Sequence, residues 1–244
     1  MTVNCAHRGD PTHAPESTLA SFERAVALGA PMVELDVNLT VDGHLVVMHD
    51  PTVDRCTNGS GTIAEMTFEQ IRALDAGSWF GPEFAGQKVP TFEEAAAALP
   101  APMWLNIHLK TKDTSGSLGF EQRFMDAFAA AGLKGRAHIV HDYLESLDRV
   151  RTIDPEVPCC WLPMCPDGFE YLRRSKAAGF TILQPDRSVM SAEFCAAVHG
   201  AGMTANVFYA NTEEDMRLYI GYGIDGILTD NPCLLQEVLA AGAA

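Results

Sequence analysis

Glu34 and Asp36 stand two residues apart in an apolar run, and His49 and Asp50 end the apolar run that follows. In a β-strand, residues i and i+2 point to the same face, so both carboxylates would converge on one spot. Asp42-Gly43 lies between the two runs. Asp-Gly is a strong hairpin signal, because the turn needs a positive φ that glycine supplies without steric cost. A hairpin would carry His49 back towards the carboxylates. Two carboxylates beside an imidazole suit a divalent cation next to a proton-transfer group. The competing reading is the solvent-facing polar edge of an amphipathic hairpin, and the stretch alone does not separate the two.

The flanking chain has to position these groups. Residues 3–6 form a short apolar run ending in His7-Arg8-Gly9, a first strand with a polar tip. Ser17 or Thr18 can cap the helix that follows; Leu19, Phe22 and Val26 keep helical spacing and Gly29 suits its stop. Residues 31–37 read as the second strand and 44–49 as the returning arm. Residues 51–90 are broken by glycines and prolines, with one short helix over 68–74, and their apolar content is thin for an independent core. Regular alternation then resumes, with strands at 103–110, 138–140, 157–162, 180–183, 203–208 and 225–228, each followed by a helical pattern. Without the returning arm this makes eight strand–helix units. The expected fold is α/β, a (β/α)8 TIM barrel with a small insertion after the second strand, residues 1–244 being one catalytic barrel domain with the insertion at about 51–90. An open doubly wound sheet is the alternative, weakened because no glycine-rich phosphate loop follows the first strand.

Composition narrows the partners. Seventeen basic and 32 acidic residues give a net charge of -15, which disfavours nucleic acid and stable membrane association. An anionic substrate would need local cations. The seven cysteines show no regular spacing, and Cys159 and Cys160 are adjacent, which argues for free thiols and a cytoplasmic location. No basic segment with an apolar stretch opens the chain, and no apolar run approaches membrane-spanning length.

A barrel collects its chemistry at the C-terminal ends of its strands. Those ends read His7-Arg8, Glu34 and Asp36, His108 and Lys110, His141-Asp142, Gln184, Phe208-Tyr209 and Thr229-Asp230. In sequence order, His7-Arg8-Gly9, Ala14-Pro15-Glu16-Ser17-Thr18, Glu34-x-Asp36-Val37, Thr40-x-Asp42-Gly43 and Val47-x-His49-Asp50 together resemble the glycerophosphodiester phosphodiesterase family. Arg55-x-Thr57-x-Gly59-x-Gly61, Val89-Pro90-Thr91-Phe92-Glu93-Glu94 and Gly223-Ile224-Asp225-Gly226-Ile227-Leu228-Thr229-Asp230-Asn231-Pro232 extend the resemblance over nearly the whole chain. It implies a (β/α)8 barrel and metal-assisted hydrolysis of glycerophosphodiesters to sn-glycerol 3-phosphate and an alcohol. By position, it implies His7 and His49 as the acid–base pair, Arg8 and Lys110 as phosphate-binding cations, and Glu34 and Asp36 as ligands of one divalent metal, Mg²⁺ or Ca²⁺. Water or a neighbouring substrate hydroxyl remains open as the nucleophile.

Four departures from the family pattern bear on the site. His108 stands where the family has a glutamate as third metal ligand. An imidazole ligand would favour Mn²⁺ or Zn²⁺, whereas the alternative leaves His108 bordering a site held by two carboxylates and water. His141-Asp142 replaces a small hydroxyl residue and an aromatic; His141 is read as a substrate contact, a partner of the site, or a satisfied loop histidine. Phe208-Tyr209 replaces a Trp-Thr pair, and Phe208 is expected to stack on the substrate or to be ordinary core. Ser17 replaces an asparagine. Trp79 and Phe80, in the insertion, are expected to wall the alcohol's side of the pocket, and Asp230 reads as structural. Two other functions stay open: the same chemistry on lysophospholipids or another phosphodiester, and a non-catalytic phosphate-ester binder.

Overall fold

The computed structural model describes residues 2–111, 115–163 and 165–242. The first strand, β1 (Val3–His7), is followed by α1 (Leu19–Leu28) and β2 (Met32–Leu39), and β3 (Leu45–Val47) returns antiparallel to β2. The pairs Val37–Val47, Asn38–Val46 and Leu39–Leu45 make this the expected hairpin, with Gly43 at φ 85° in its loop. The strand–helix repeat continues through β4 (Trp104–Leu109), α4 (Phe120–Ala130), β5 (Ala137–His141), α5 (Leu144–Ile153), β6 (Cys159–Trp161) and α6 (Gly168–Ala177). It ends with β7 (Ile182–Leu183), α7 (Ala192–Gly200), β8 (Thr204–Phe208), α8 (Glu213–Gly221), β9 (Gly226–Thr229) and α9 (Pro232–Gly242). Two helices precede β4, namely α2 (Phe68–Ala73) inside the insertion and α3 (Phe92–Ala98) after it.

Eight of these strands run parallel in the order β6-β5-β4-β2-β1-β9-β8-β7, a nearly closed (β/α)8 barrel. Strand β3 lies off that path. The seam falls between β6 and β7, and a side chain bridges it. The Tyr171 hydroxyl, from α6, donates to the Trp161 carbonyl at 2.5 Å and accepts from the Gln184 N–H at 3.1 Å. One phenol thus serves a backbone acceptor and a backbone donor that the short β6 and β7 leave unpaired.

Strand parity divides the side chains. On β2 and β4, Val33, Leu35, Val37, Leu105, Ile107 and Leu109 point outward and pack with Phe92, Phe124 and Phe128 of the surrounding helices. Their even-numbered neighbours line the interior. Leu183, Val207 and Ile227 meet Phe194, Val198 and Leu235 in a second cluster. The helices start where the sequence offers caps: Thr91 accepts from the Glu94 N–H while the Glu94 side chain accepts from the Thr91 N–H, a capping box repeated by Thr67 and Gln70. Each such cap contributes about 1 kcal/mol.

The insertion has a small core of its own, built from Val53, Cys56, Ile63, Ile71 and Ala76 on Val46 and Met48 from the hairpin's returning arm. The hairpin is therefore gripped from both sides. All seven cysteines are free, and no helix among the described residues is long and apolar enough to cross a membrane.

Candidate active site

Parity and register bring the expected residues together. Asp36 and His108 are direct partners across β2 and β4, and Glu34 and His7 are partners across β2 and β1. One cavity of ≈ 640 Å³ opens at the C-terminal ends of the strands, and His7, Arg8, Glu34, Asp36, His49, His108, Lys110 and Phe208 all line it. Its polar half belongs to β1, β2 and β4. The other half is largely apolar, made by Leu162, Pro163, Pro166 and Pro185 from the loops after β6 and β7, with Phe208 and Leu228.

Arg8 owes its inward aim to an unusual backbone. Its φ is 57°, in the left-handed region, and Gly9 follows at φ 92°. A Cβ on Gly9 would lie 2.3 Å from Ser21 Oγ, so only glycine fits. The Arg8 N–H donates to the Glu34 carbonyl at 3.0 Å and approaches Glu34 Oε2 at 3.2 Å, while the Arg8 carbonyl accepts from Ser17 N and Ser21 Oγ. These bonds offset the strain of the conformation. The guanidinium then pairs with Glu16 at 2.8 Å and reaches Asp36 Oδ2 at 3.3 Å.

Ser17 is likewise left-handed, at φ 58°, with its hydroxyl buried and without a hydrogen-bond partner, and Thr18 is the residue that caps α1. The asparagine usual in the family tolerates this backbone better than serine does. Ser17→Gly is therefore expected to stabilise the fold by about 1 kcal/mol and raise the melting temperature by about 2–4 °C in calorimetry. An unchanged or lower melting temperature would show that the hydroxyl has a partner that outweighs the strain.

The two histidines are held alike. His7 Nδ1 lies 2.7 Å from Asp230 Oδ1, and His49 Nδ1 lies 2.7 Å from Asp50 Oδ1. Each carboxylate orients its ring and leaves the other nitrogen free of it. Their electrostatic settings differ. Burial opposes charge on His7, but Glu34 and the hydrogen bond that the ring donates to Asp230 outweigh it, so its pKa lies above the ordinary value. Burial, with Arg8 and Lys110 nearby, pushes the pKa of His49 below the ordinary value despite Asp36 and Asp50. Tyr209 stacks beside His7, with ring centroids 6.4 Å apart.

Glu34 and Asp36 are buried side by side and share the consequence. Burial and the Asp36 charge push the Glu34 carboxyl up. Burial also opposes charge on Asp36, but Lys110 and Arg8 overcome it and hold that carboxyl well below the usual carboxylate range. Lys110 Nζ lies 3.1 Å from Asp36 Oδ1 and 3.0 Å from His108 Nδ1. Neither oxygen of Asp36 has a partner in hydrogen-bonding geometry, although both are buried. Buried anionic oxygens in that state suit a cation. One ligand atom each from Glu34, Asp36 and His108 falls within a 4.8 Å span, which bonds of about 2.0–2.4 Å from a shared ion can bridge. The donor set fits a divalent metal. Asp10, His13 and Cys233 form a second such group among the described residues, but Asp10 is already taken by Arg24 at 2.9 Å.

Several expectations need correction. Of the readings left open for His141, the satisfied histidine holds: it faces away from the cavity, because His108 pairs with Val140 and the next residue points to the opposite side. It is buried, its Nδ1 accepts from the Tyr143 N–H at 2.9 Å, and burial lowers its pKa to about 4. The cavity residue from that strand end is Asp142, whose Oδ1 lies 3.5 Å from His108 Nε2. Trp79 and Phe80 do not line the cavity; they pack edge to face on one another, and Phe80 on Phe84. Asp230 is more than structural, since it grips His7. Sequence reasoning also missed a chain of ion pairs: Arg55 holds Glu16 through two nitrogens at 2.7 and 2.8 Å and Asp50 at 2.6 Å, linking Arg8 to His49. The adjacent His49-Asp50 pair was a signal for part of it; nothing local announces that Asp230 meets His7.

Comparison with known proteins agrees with this geometry. Residues 7–234 match the model of the Glycerophosphoryl diester phosphodiesterase family. A protein named glycerophosphodiester phosphodiesterase from Caldanaerobacter subterraneus subsp. tengcongensis is 36% identical over 247 residues, covering 99% of each chain. One of the same name from Bacillus subtilis is 31% identical, covering 97% of this chain and 86% of its own. Among solved structures, an Oleispira antarctica phosphodiesterase in complex with the product sn-glycerol-3-phosphate superposes with a TM-score of 0.84 at 28% identity, covering 98% of this chain and 97% of its own. This chain belongs to the glycerophosphoryl diester phosphodiesterase family of phosphoric diester hydrolases.

Proposed function

We propose that this protein hydrolyses glycerophosphodiesters to sn-glycerol 3-phosphate and an alcohol, with one divalent metal and the pair His7 and His49. The observation that carries this reading is the cavity in which two separately oriented imidazoles, two cations and two buried carboxylates meet, with both oxygens of Asp36 unsatisfied. Glu34, Asp36 and His108 would hold the metal, Mg²⁺ or Ca²⁺ or, given the imidazole, Mn²⁺ or Zn²⁺. When bound, the ion supplies charge that neutralises the developing phosphoryl oxyanion. Arg8 and Lys110 bind the non-bridging oxygens, the guanidinium as a planar fork and the ammonium as a point charge.

His49, with its lowered pKa, is neutral near pH 7 and takes the proton from the attacking hydroxyl. His7, whose pKa is shifted upward while that of His49 is shifted downward, is the better suited of the two to carry a proton and gives it to the leaving alkoxide as the P–O bond breaks. A cation on Glu34 would weaken the largest of the influences that raise His7; the hydrogen bond to Asp230 and the charge of Asp230 remain. Phe208 and Tyr209 flank the reacting end. The surface charge and small cavity suit a soluble small-molecule substrate in the cytoplasm, rather than nucleic acid or a membrane.

The test is coupled enzymatic detection of sn-glycerol 3-phosphate from glycerophosphocholine and glycerophosphoethanolamine with Mg²⁺, Ca²⁺, Mn²⁺ and Zn²⁺ in turn. Release that a chelator abolishes is expected. No release with any pairing of metal and diester would overturn the reading. The apolar half of the cavity favours a second substrate class, in which the diester carries an acyl chain as in a lysophospholipid. Adding such a substrate to the panel and assaying the freed alcohol separates the two.

A further inference from the structure

Where the family has a third carboxylate at the end of β4, this chain has His108, and the structure places another carboxylate directly behind it. We propose that Asp142, at the end of β5, is a positioning residue for the metal. In this reading His108 binds the ion through Nδ1, while Asp142 receives the Nε2–H and supplies the negative charge that the third ligand lacks. The inference rests on the metal reading above and deepens it.

Three observations carry it. First, the ring lies between two carboxylates, and its buried Nε2 has no partner in hydrogen-bonding geometry, with Asp142 the carboxylate beside it. His108 Nδ1 faces Asp36 Oδ1 at 3.8 Å, and Nε2 faces Asp142 Oδ1 at 3.5 Å. Second, its tautomer follows from its neighbour. Lys110 Nζ lies 3.0 Å from His108 Nδ1, and an ammonium has only protons to give. Nδ1 is therefore the acceptor and the ring proton is on Nε2, on the side of Asp142; a bound ion would take the Nδ1 lone pair in place of the ammonium, which is then released to the phosphate oxygens. Third, Asp142 is not a loose loop residue. The indole N–H of Trp161 donates to its carbonyl at 3.1 Å, and the next residue's N–H is held by His141 Nδ1.

The chemistry gives His108 and Asp142 a joint role. A neutral imidazole with Glu34 and Asp36 gives a divalent ion a formal charge balance of about zero, against −1 for three carboxylates. A carboxylate on the far nitrogen of a ligating histidine fixes the tautomer and raises ligand basicity, and it restores the missing charge. His108 and Asp142 together stand in for one glutamate. An imidazole donor shifts the preference from Ca²⁺ towards Mn²⁺ or Zn²⁺.

Titration calorimetry with Mn²⁺ and with Ca²⁺ tests this on the whole protein, comparing wild type with Asp142→Asn, His108→Glu, the double variant and Glu34→Gln. Wild type is expected to bind Mn²⁺ more tightly than Ca²⁺. Asp142→Asn, at a half-exposed position that should leave the fold intact, is expected to weaken Mn²⁺ binding about 10–100-fold. In the His108→Glu background the same change should cost nothing, and Ca²⁺ binding should improve. Pulsed electron paramagnetic resonance of bound Mn²⁺ should show nitrogen coupling in wild type and none in His108→Glu. Unchanged Mn²⁺ affinity in Asp142→Asn, or Mn²⁺ without nitrogen coupling in wild type, overturns the inference; if Glu34→Gln still loses the ion, the metal reading survives. Binding that Glu34→Gln also leaves unchanged overturns both.

Discussion

Replacing His49 by alanine is expected to lower kcat by about 10²–10⁴-fold while leaving the melting temperature nearly unchanged. The ring is half-exposed at the rim of the cavity and its one close partner is Asp50, so little packing is lost. What disappears is a base already neutral at pH 7. Burial and the nearby cations lower its pKa, so the acid limb of kcat/KM should lie below pH 6.5 in wild type, activity falling as the ring gains its proton. The alanine variant should lose that limb together with the rate. The pairing with His7 makes this sharper. A base with a depressed pKa and an acid with a raised one share a pH interval in which both are mainly in their working forms, whereas two histidines of equal pKa do not. A variant that keeps more than a tenth of wild-type kcat, or keeps the acid limb, would move the base elsewhere. Steady-state rates across pH 5–9 decide it.

The barrel was legible because its signals are local and repeated. Eight apolar runs alternate with helical patterns, and each observed strand falls at an expected one, with short β6 and β7 trimmed within runs that looked longer. Glu34 and Asp36 were legible for the same reason, since period two puts them on one face in any strand. His141 stayed open between cavity and satisfied histidine because parity at a strand's last residue depends on register, and a shift of one residue exchanges cavity for core; it proves to be the satisfied histidine. Its neighbour Asp142 carries the cavity position instead. The Asp230–His7 contact joins residues 223 apart and depends on β9 closing beside β1, which no local pattern states. Likewise, the left-handed backbone at Arg8 and Ser17 leaves no trace in residue type; only the adjacent Gly9 hints at it. Trp79 and Phe80 suggested a pocket wall by being large and apolar, but they pack on one another and on Phe84 away from the cavity, with Trp79 exposed.

Asp36→Asn is the other substitution expected to have a large effect, on two properties of opposite origin. Its carboxylate lies within 3.1–3.8 Å of Lys110, Arg8 and His108, and it is fully buried. An uncharged isostere leaves two cations facing an amide, a loss of about 3 kcal/mol at this depth. The melting temperature should fall by about 6–12 °C for a domain of this size. The wild-type contribution has a defined pH window. Asp36 has a folded pKa depressed below its unfolded value, so its stabilisation is present above the unfolded pKa and is lost as pH falls through the folded one. Glu34, raised first by burial and then by the Asp36 charge, works in the other direction: its cost appears as pH rises above its ordinary value, and the variant removes only the second of these causes. The gap between wild type and variant should therefore narrow below about pH 4, where the unfolded chain starts to bind protons that folded Asp36 refuses. Activity should fall by at least 10³-fold, more than stability alone explains, because the same oxygens are proposed to hold the metal. Full activity in a folded Asp36→Asn protein would show that Lys110 and Arg8 need no buried anion to aim them, and that Glu34 and His108 hold the ion without it. Thermal melts across pH 3–8, run beside the diester assay, separate the electrostatic role of Asp36 in the fold from its role at the phosphate.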